Sequence, residues 1–443
     1  MSSLYTRARN EGLRSVGSRL ARFGWLPASQ AIVFLISTGT FAVFARVLGP
    51  VPYARFAALL FCYTVVSLAV DLSPQSWILV KGYSPNALHV ARRITAVNSL
   101  VGVIVLSLAL AAISSSLPGG QLSVVEWSSL ALAIVAQNVL QIPRAKLVVH
   151  RHYRGLGVSE ILGATVGAMT AATVVFASGS GTALSLQLGV GTLVRLGVFI
   201  LMARKMLALT ADPETAWTVR HGLTYGLSVV PLNLAAYCGR ALDSGILPYL
   251  VTAASAAAYS RSYQVVVTPV TQLQLAFGLV IFERLAKRFR ETGVFPDGDR
   301  LWKMLWFGGS AVAIVVSLFS GLIAAVLFGP RWSGVQTLVT VMAACLPGLG
   351  ITLFGSWSTQ LSNSRTRSLG HLAVVLVTPL AVITTAALGT FEEATHALFI
   401  GGGLVQPMLL TLLHRRAAQG RLAAKGAMIL FTWLVLLSLL VLM

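Results

Sequence analysis

The sequence predicts an all-α protein that crosses a membrane many times, and three observations carry that prediction. Its 443 residues are 56% hydrophobic and only 10% charged, where a soluble chain carries about 25% charged residues. Apolar runs of roughly 20 residues recur along the whole chain, each long enough as a helix to cross a hydrocarbon layer about 30 Å thick. Basic residues gather in alternate gaps between those runs, the pattern by which a polytopic chain fixes its orientation.

The first six runs fall at 26–46, 56–80, 94–114, 126–148, 157–177 and 183–203. Six more follow at 222–241, 253–282, 304–328, 335–357, 369–390 and 394–413, with a last one at 426–443. This gives about twelve or thirteen spans, twelve if one run lies along the interface. Arg7, Arg9, Arg14, Arg19 and Arg22 precede the first run without a cleavage site, so 1–25 reads as a basic cytoplasmic segment rather than a secretory signal. Further clusters follow the even-numbered runs, among them Lys81, Arg92 and Arg93 after the second, and Arg284, Lys287, Arg288 and Arg290 after the eighth. Most of the 33 Lys and Arg residues fall on that side, which places the N-terminus in the cytoplasm. Topology thus explains the net charge of +20 better than nucleic-acid binding does. The connections on the other side are no longer than about a dozen residues, too short for an external domain.

Motifs exclude several activities. There is no GxxxxGK[ST] phosphate loop, no HExxH and no GxSxG, so nucleotide hydrolysis, zinc proteolysis and serine hydrolysis lack their residues. Cys62, Cys238 and Cys345 are far apart in or beside apolar runs and read as small core residues, not metal ligands. Asp297-Gly298-Asp299 superficially matches a DxD metal motif but has the composition of a turn.

Polar residues inside the spans carry more information, because lipid does not satisfy them. Asp71 in the second run and Arg195 in the sixth lie at similar depth, roughly 12–15 Å from the cytoplasmic side, where they could pair. Pro74 follows Asp71 by one turn and frees a backbone carbonyl. In the eighth run Arg261, Gln264, Thr268 and Gln272 recur at helical spacing, a stripe that must face protein or water. Gln137 and Gln141 repeat the pattern in the fourth run, and Gln30 and Ser37 do so weakly in the first. Arg240 and Asp243 are spaced to bridge each other, Glu160 to snorkel, and Gly163, Gly167 and Ala171 to pack closely against a neighbouring helix. Tyr53-Ala54-Arg55 and Tyr259-Ser260-Arg261 open the second and eighth runs, six helices apart. That faint repeat is consistent with a transporter built from two related halves.

Arg46-Val47-Leu48-Gly49-Pro50-Val51-Pro52-Tyr53-Ala54 is similar to an R-x-L-G-P-x-x-Y-G block, and Gly222–Pro231, Ala258–Arg261 and Leu327–Trp332 are similar to later blocks of the same family. The chain therefore resembles the polysaccharide transporters of the multidrug/oligosaccharidyl-lipid/polysaccharide exporter superfamily, with Wzx-type O-antigen flippases nearest. Ala54 and Ala257-Ala258 depart from the family's usual glycines.

The resemblance implies two pseudo-symmetric six-helix lobes around a central cleft, here 26–210 and 211–415, with 416–443 as an extra C-terminal helix. It implies an undecaprenyl-diphosphate-linked oligosaccharide moved from the cytoplasmic to the outer leaflet of a bacterial inner membrane, without catalysis or a bound cofactor. Partners would be membrane lipids and other polysaccharide-assembly proteins. On this reading Arg46, Arg55, Arg195, Arg261, Gln264, Thr268, Gln272, Gln137 and Gln141 line the cleft. Asp71 couples transport to H⁺ or Na⁺, since intramembrane acids commonly serve that role. A lipid II flippase or a multidrug exporter would share the fold. A membrane-embedded polysaccharide polymerase or ligase remains a rival, although such enzymes usually carry a sizeable external loop. A major-facilitator transporter lacks its G-x-x-x-D-R motif here: Lys81–Asn86 stands in its place.

Overall fold

The structure, a computed structural model, describes residue 25 and residues 28–441 except 76–77, 79–84, 119, 151, 205–217, 293–294, 296, 330–331, 333 and 363–364. The basic N-terminal segment lies outside the described residues. Those described are mostly helical, with no strand among them.

The chain forms helices α1 (Ala28–Leu48), α2 (Pro50–Val70), α3 (Pro85–Ile113), α4 (Val124–Val149), α5 (Tyr153–Ser178) and α6 (Ala183–Arg204). It continues with α7 (Val219–Leu250), α8 (Ala253–Thr292), α9 (Gly298–Leu318), α10 (Val335–Thr359), α11 (Arg365–Leu388), α12 (Phe391–Leu413) and α13 (Leu422–Val441). Each helix corresponds to one apolar run. Among the described residues, eleven are long and apolar enough to cross a membrane by length and composition. The other two, α7 and α8, extend over 32 and 40 residues.

The ends of the helices follow their local chemistry. Gly49 precedes α2 at φ 73°, a conformation only glycine adopts freely, and Pro50 then starts the helix where no N–H is needed. Gly329 has nearly the same backbone, φ 79° against 73° and ψ −177° against −173°, so the glycines of the two Leu/Phe-Gly-Pro segments share a conformation. Ser123 and Glu126 close a reciprocal cap at the start of α4, and Thr390 and Glu393 do the same for α12. The second run is shorter than its hydropathy suggested: α2 stops at Val70, with Asp71 as its C-cap. Pro74, which cannot extend a helix without losing a hydrogen bond, follows within four residues.

Packing builds two groups of helices. Within the first, α5 and α6 lie closest because glycines meet at their crossing: a Cβ on Gly167 would sit 2.6 Å from the Gln187 carbonyl oxygen, and one on Gly191 2.9 Å from that of Gly163. The small-residue face over Gly163, Gly167 and Ala171 is thus a helix–helix contact, as its spacing suggested. In the second group α7 packs on α11, α9 on α10, and α11 on α12. The groups meet where α2 packs against α7 and α8.

Helix α13 is tied to the second group by polar contacts. Lys425, 1% exposed, donates to Asp299 at 2.6 Å and to the Ala418 carbonyl at 3.2 Å. On α9 the indoles of Trp302 and Trp306 stack 5.7 Å apart; the first donates to Thr411 on α12 and the second to Thr432 on α13. Asp297 and Asp299 are therefore a turn and an ion-pair partner: Asp297 is left-handed at φ 50° before α9, and Asp299 bonds Lys303 and Lys425.

Candidate functional site: a cationic cavity between the helix groups

A cavity of about 390 Å³ lies where α1, α2, α5, α6 and α8 converge. Helical spacing explains which residues reach it. From α1 come Gln30, Val33, Phe34, Ser37, Thr38, Phe41 and Phe44, one face followed for four turns. Leu184, Gln187, Leu188, Gly191 and Arg195 do the same on α6, and Arg261, Gln264, Val265, Thr268 and Gln272 on α8. The polar stripe on α8 that the sequence singled out thus faces this cavity, opposite α1 and α6.

Arg261 dominates its electrostatics. The side chain is 5% exposed. Its guanidinium carbon sits 4.2 Å from the centre of the Tyr53 ring and 5.5 Å from those of Phe41 and Phe56, an aromatic cage that favours a cation. One nitrogen donates to Gln264 Oε1. The remaining Nε and Nη2 groups are buried without a hydrogen-bond partner, and none of the ion pairs found among the described residues involves Arg261. A buried cation in that condition has lost its hydration without gaining a counter-ion.

Arg195 differs. It donates to Glu160 at 3.1 Å and to Thr192 at 2.9 Å, so its charge is balanced. Its aliphatic stem crosses Gly163, where a side chain would collide with it. The pairing of Arg195 with Asp71 suggested by depth does not occur. Asp71 lies at the end of α2, where its Oδ1 accepts from the Ser73 N–H at 2.7 Å and from Gln141 at 2.9 Å. Glu160, one turn before Gly163 on α5, reaches Arg195 instead of snorkelling.

One end of the cavity is closed. Phe41, Tyr53, Phe328 and Trp332 pack edge to face, with ring centres 5.0–6.1 Å apart. Trp332 donates to the Ala45 carbonyl at 3.3 Å, and Arg46 to the Val326 carbonyl at 2.7 Å. The α1–α2 junction is thereby fastened to the segment after α9.

Four of the residues expected in the cleft lie elsewhere. Arg46 and Arg55 each follow a lining residue by two positions (Phe44 and Tyr53), about 200° around a helix, and so point away. Arg46 serves the closed end. Arg55 makes a two-pronged ion pair with Glu126, 2.7 Å on each arm, and also donates to the carbonyls of Gly120 and Gln121. Gln137 and Gln141 sit on α4, behind α6, with Gln141 engaged by Asp71. Arg195, Arg261, Gln264, Thr268 and Gln272 do line the cavity. Nothing in the residue pattern signalled the aromatic cage, since Phe41, Tyr53 and Phe56 look like ordinary core residues. Periodicity with Gln30 and Ser37 could have revealed Phe41 and Phe44 on the α1 face.

A smaller cavity of about 50 Å³ lies among α7, α8, α10, α11 and α12, lined by Asp243, Tyr263, Thr352, Thr378 and Gln406 among others. Asp243, 4% exposed, accepts from Tyr259 at 2.5 Å and from the Ser244 N–H at 2.7 Å. The Arg240 side chain, its expected partner, lies outside the described residues. Thr378 donates to Gln406, which donates to Thr352. Helix α12 makes a π turn at Gly401–Val405 beside this cavity, an irregularity that often accompanies function.

Residues 43–337 match the polysaccharide biosynthesis protein family. A comparison with curated protein sequences gives no match. Among solved structures the fold is similar to the lipid II flippase MurJ in an inward closed conformation, at TM-score 0.61 and 12% identity over 93% of this chain and 98% of that one. It is also similar to a point mutant of the MATE transporter VcmN of Vibrio cholerae, at TM-score 0.59 and 13% identity over 94% and 100%. A transporter of the same superfamily from Pyrococcus furiosus gives TM-score 0.61 and 12% identity over 90% and 95%. With most of its length matched and its bundle superposable on these transporters, the chain belongs to the polysaccharide biosynthesis protein family and has the multi-pass fold of MurJ and the MATE proteins.

Proposed function

We propose that the protein flips an undecaprenyl-diphosphate-linked oligosaccharide from the cytoplasmic to the outer leaflet of a bacterial inner membrane by alternating access. Arg261 carries this reading. It is a buried cation with two unmet N–H groups at the closed end of a cavity between two helix groups, and phosphate oxygens would satisfy both geometry and charge. The aromatic rings around it suit the apolar faces of sugars. The lipid chains stay in the bilayer while the headgroup passes between the groups. The alternating basic loops support a cytoplasmic N-terminus. The cavity's excess positive charge disfavours organic cations, and thus a drug-exporting role. Lipid II carries the same lipid diphosphate and is the second reading, suggested by the likeness to MurJ.

Coupling to H⁺ or Na⁺ is part of the proposal. Asp71 remains a candidate, but Asp243 is better suited. Its carboxylate is buried against a small cavity that Thr352, Thr378 and Gln406 also line, bounded by four other helices, where either cation would offset the cost of burying the charge.

The test is reconstitution in proteoliposomes with the lipid-linked oligosaccharide, measuring headgroup access from the opposite side. Acceleration over protein-free vesicles is expected, lost in Arg261→Gln, with competition by lipid II deciding between the two substrates. Equal rates with and without protein would refute the proposal. Asp243→Asn should remove the ion dependence; if Asp71→Asn removes it instead, the coupling site is Asp71.

A further inference from the structure

The two arginines of the cavity are not equivalent, and the difference bears on which headgroups the protein accepts. Arg261 sits at the closed end, beside Phe41 and Tyr53. Arg195 and Glu160 lie towards the other end of α1. Gly157, one turn before Glu160 on α5, abuts Ser29 and Trp25, so Glu160 is level with the first turns of α1. From there to Phe41 is about three turns of helix, roughly 16 Å. The cavity therefore has an uncompensated positive end and, a sugar or two away, an end whose charge is cancelled by an ion pair at 3.1 Å.

We infer that Glu160 is a specificity-determining residue: by balancing Arg195 it makes the second end a subsite for an uncharged sugar and excludes an acidic one. The inference rests on the reading that Arg261 holds the diphosphate. A paired arginine and carboxylate offer donors and acceptors together with no net charge. Sugar hydroxyls, which both donate and accept, match that surface. The pair is partly open to the cavity, with side-chain exposures of 26% and 19%, so a ligand can reach it. Gln30 and Gln187 add neutral amides that also donate and accept. A carboxylated sugar would instead bring its charge against Glu160 in a site of reduced dielectric, where like charges a few ångströms apart repel strongly. Had the site evolved for acidic sugars, Arg195 would be expected to lack a carboxylate partner as Arg261 does.

The test uses the full chain in lipid nanodiscs and two soluble probes, a neutral hexose 1-diphosphate and the corresponding hexuronic acid 1-diphosphate, with affinities measured by calorimetry. The wild type should prefer the neutral probe by roughly tenfold or more. Glu160→Gln should remove the preference by strengthening the acidic probe, while Glu160→Asp, which retains the charge, should keep it. Arg195→Met, which leaves Glu160 uncompensated, should widen the preference, so a poorly folding Glu160→Gln does not leave the question open. Equal wild-type affinities that Glu160→Gln does not change would overturn the role of Glu160 and leave the flippase reading intact. If the wild type binds neither probe, diphosphate recognition fails as well, and both fall together.

Discussion

Replacing Arg261 with methionine should make the resting protein more stable and, at the same time, inactive. In the ligand-free state the guanidinium leaves two N–H groups unpaired, each costing about 1–3 kcal/mol, besides the desolvation of the charge, several kcal/mol per ion. Against this stand the cation–π contact with Tyr53 at 4.2 Å, about 2 kcal/mol when desolvated, and one charged hydrogen bond to Gln264, about 1.5–3 kcal/mol. The balance is unfavourable to arginine by roughly a few kcal/mol. Methionine would remove the buried charge and keep a sulfur–aromatic contact with Tyr53. With a diphosphate bound the sign reverses: two charge-assisted bonds at about 1.5–3 kcal/mol each imply a loss of at least a hundredfold in affinity for the variant. Thermal unfolding in detergent, with and without inorganic pyrophosphate, measures both sides. The apo variant should unfold a few degrees higher than the wild type, and pyrophosphate should stabilise only the wild type. An apo variant that is markedly less stable, or one that pyrophosphate still protects, would refute this account of Arg261.

Arg55→Ala should cost about 2–4 kcal/mol of stability by leaving Glu126 (its side chain 3% exposed) as a buried charge without its partner. The flipping rate per folded molecule should not change, because Arg55 lies outside the cavity; comparing melting temperature with transport rate separates the two effects. Gly167→Val should destabilise by about 1–3 kcal/mol, since even its Cβ would meet the Gln187 carbonyl at 2.6 Å. Gly39→Ala, with open space at its Cβ, should be neutral or slightly stabilising in the same melting assay. Trp332→Ala removes a hydrogen bond and three ring contacts from the closed end. A cysteine placed at Thr38 should then react faster with a maleimide added on the side of the α1–α2 junction, and an unchanged rate would count against closure by that cluster.

The number and order of helices were legible because hydropathy acts locally: about 20 apolar residues make a span whatever surrounds them. The α8 stripe was legible for a related reason, since residues at i, i+3, i+7 and i+11 share a face in any helix. The same rule, applied to Tyr53-Ala54-Arg55, would have turned Arg55 away from Tyr53. Chemical type alone grouped it with the cleft residues. The repeat carries a similar lesson. Tyr53 and Tyr259 are both buried at the start of a helix, yet Arg55 pairs with Glu126 while Arg261 enters the cavity.

Depth misled where hydropathy ran past the true end of a helix. Asp71 looked like a mid-span acid because apolar residues continue to Val80, but α2 ends at Val70 and Asp71 caps it. The acid in the cavity proved to be Glu160, whose partner is set by the glycine-mediated approach of α5 to α6.

A polytopic helical bundle with a polar stripe on its eighth helix is written into the order of residues, because span length and helical periodicity depend only on neighbours along the chain. Which arginine has a carboxylate partner and which has none was settled by tertiary contacts. That distinction depends on residues such as Glu160 and Arg195, 35 positions apart, being brought within hydrogen-bonding distance by the crossing of two helices.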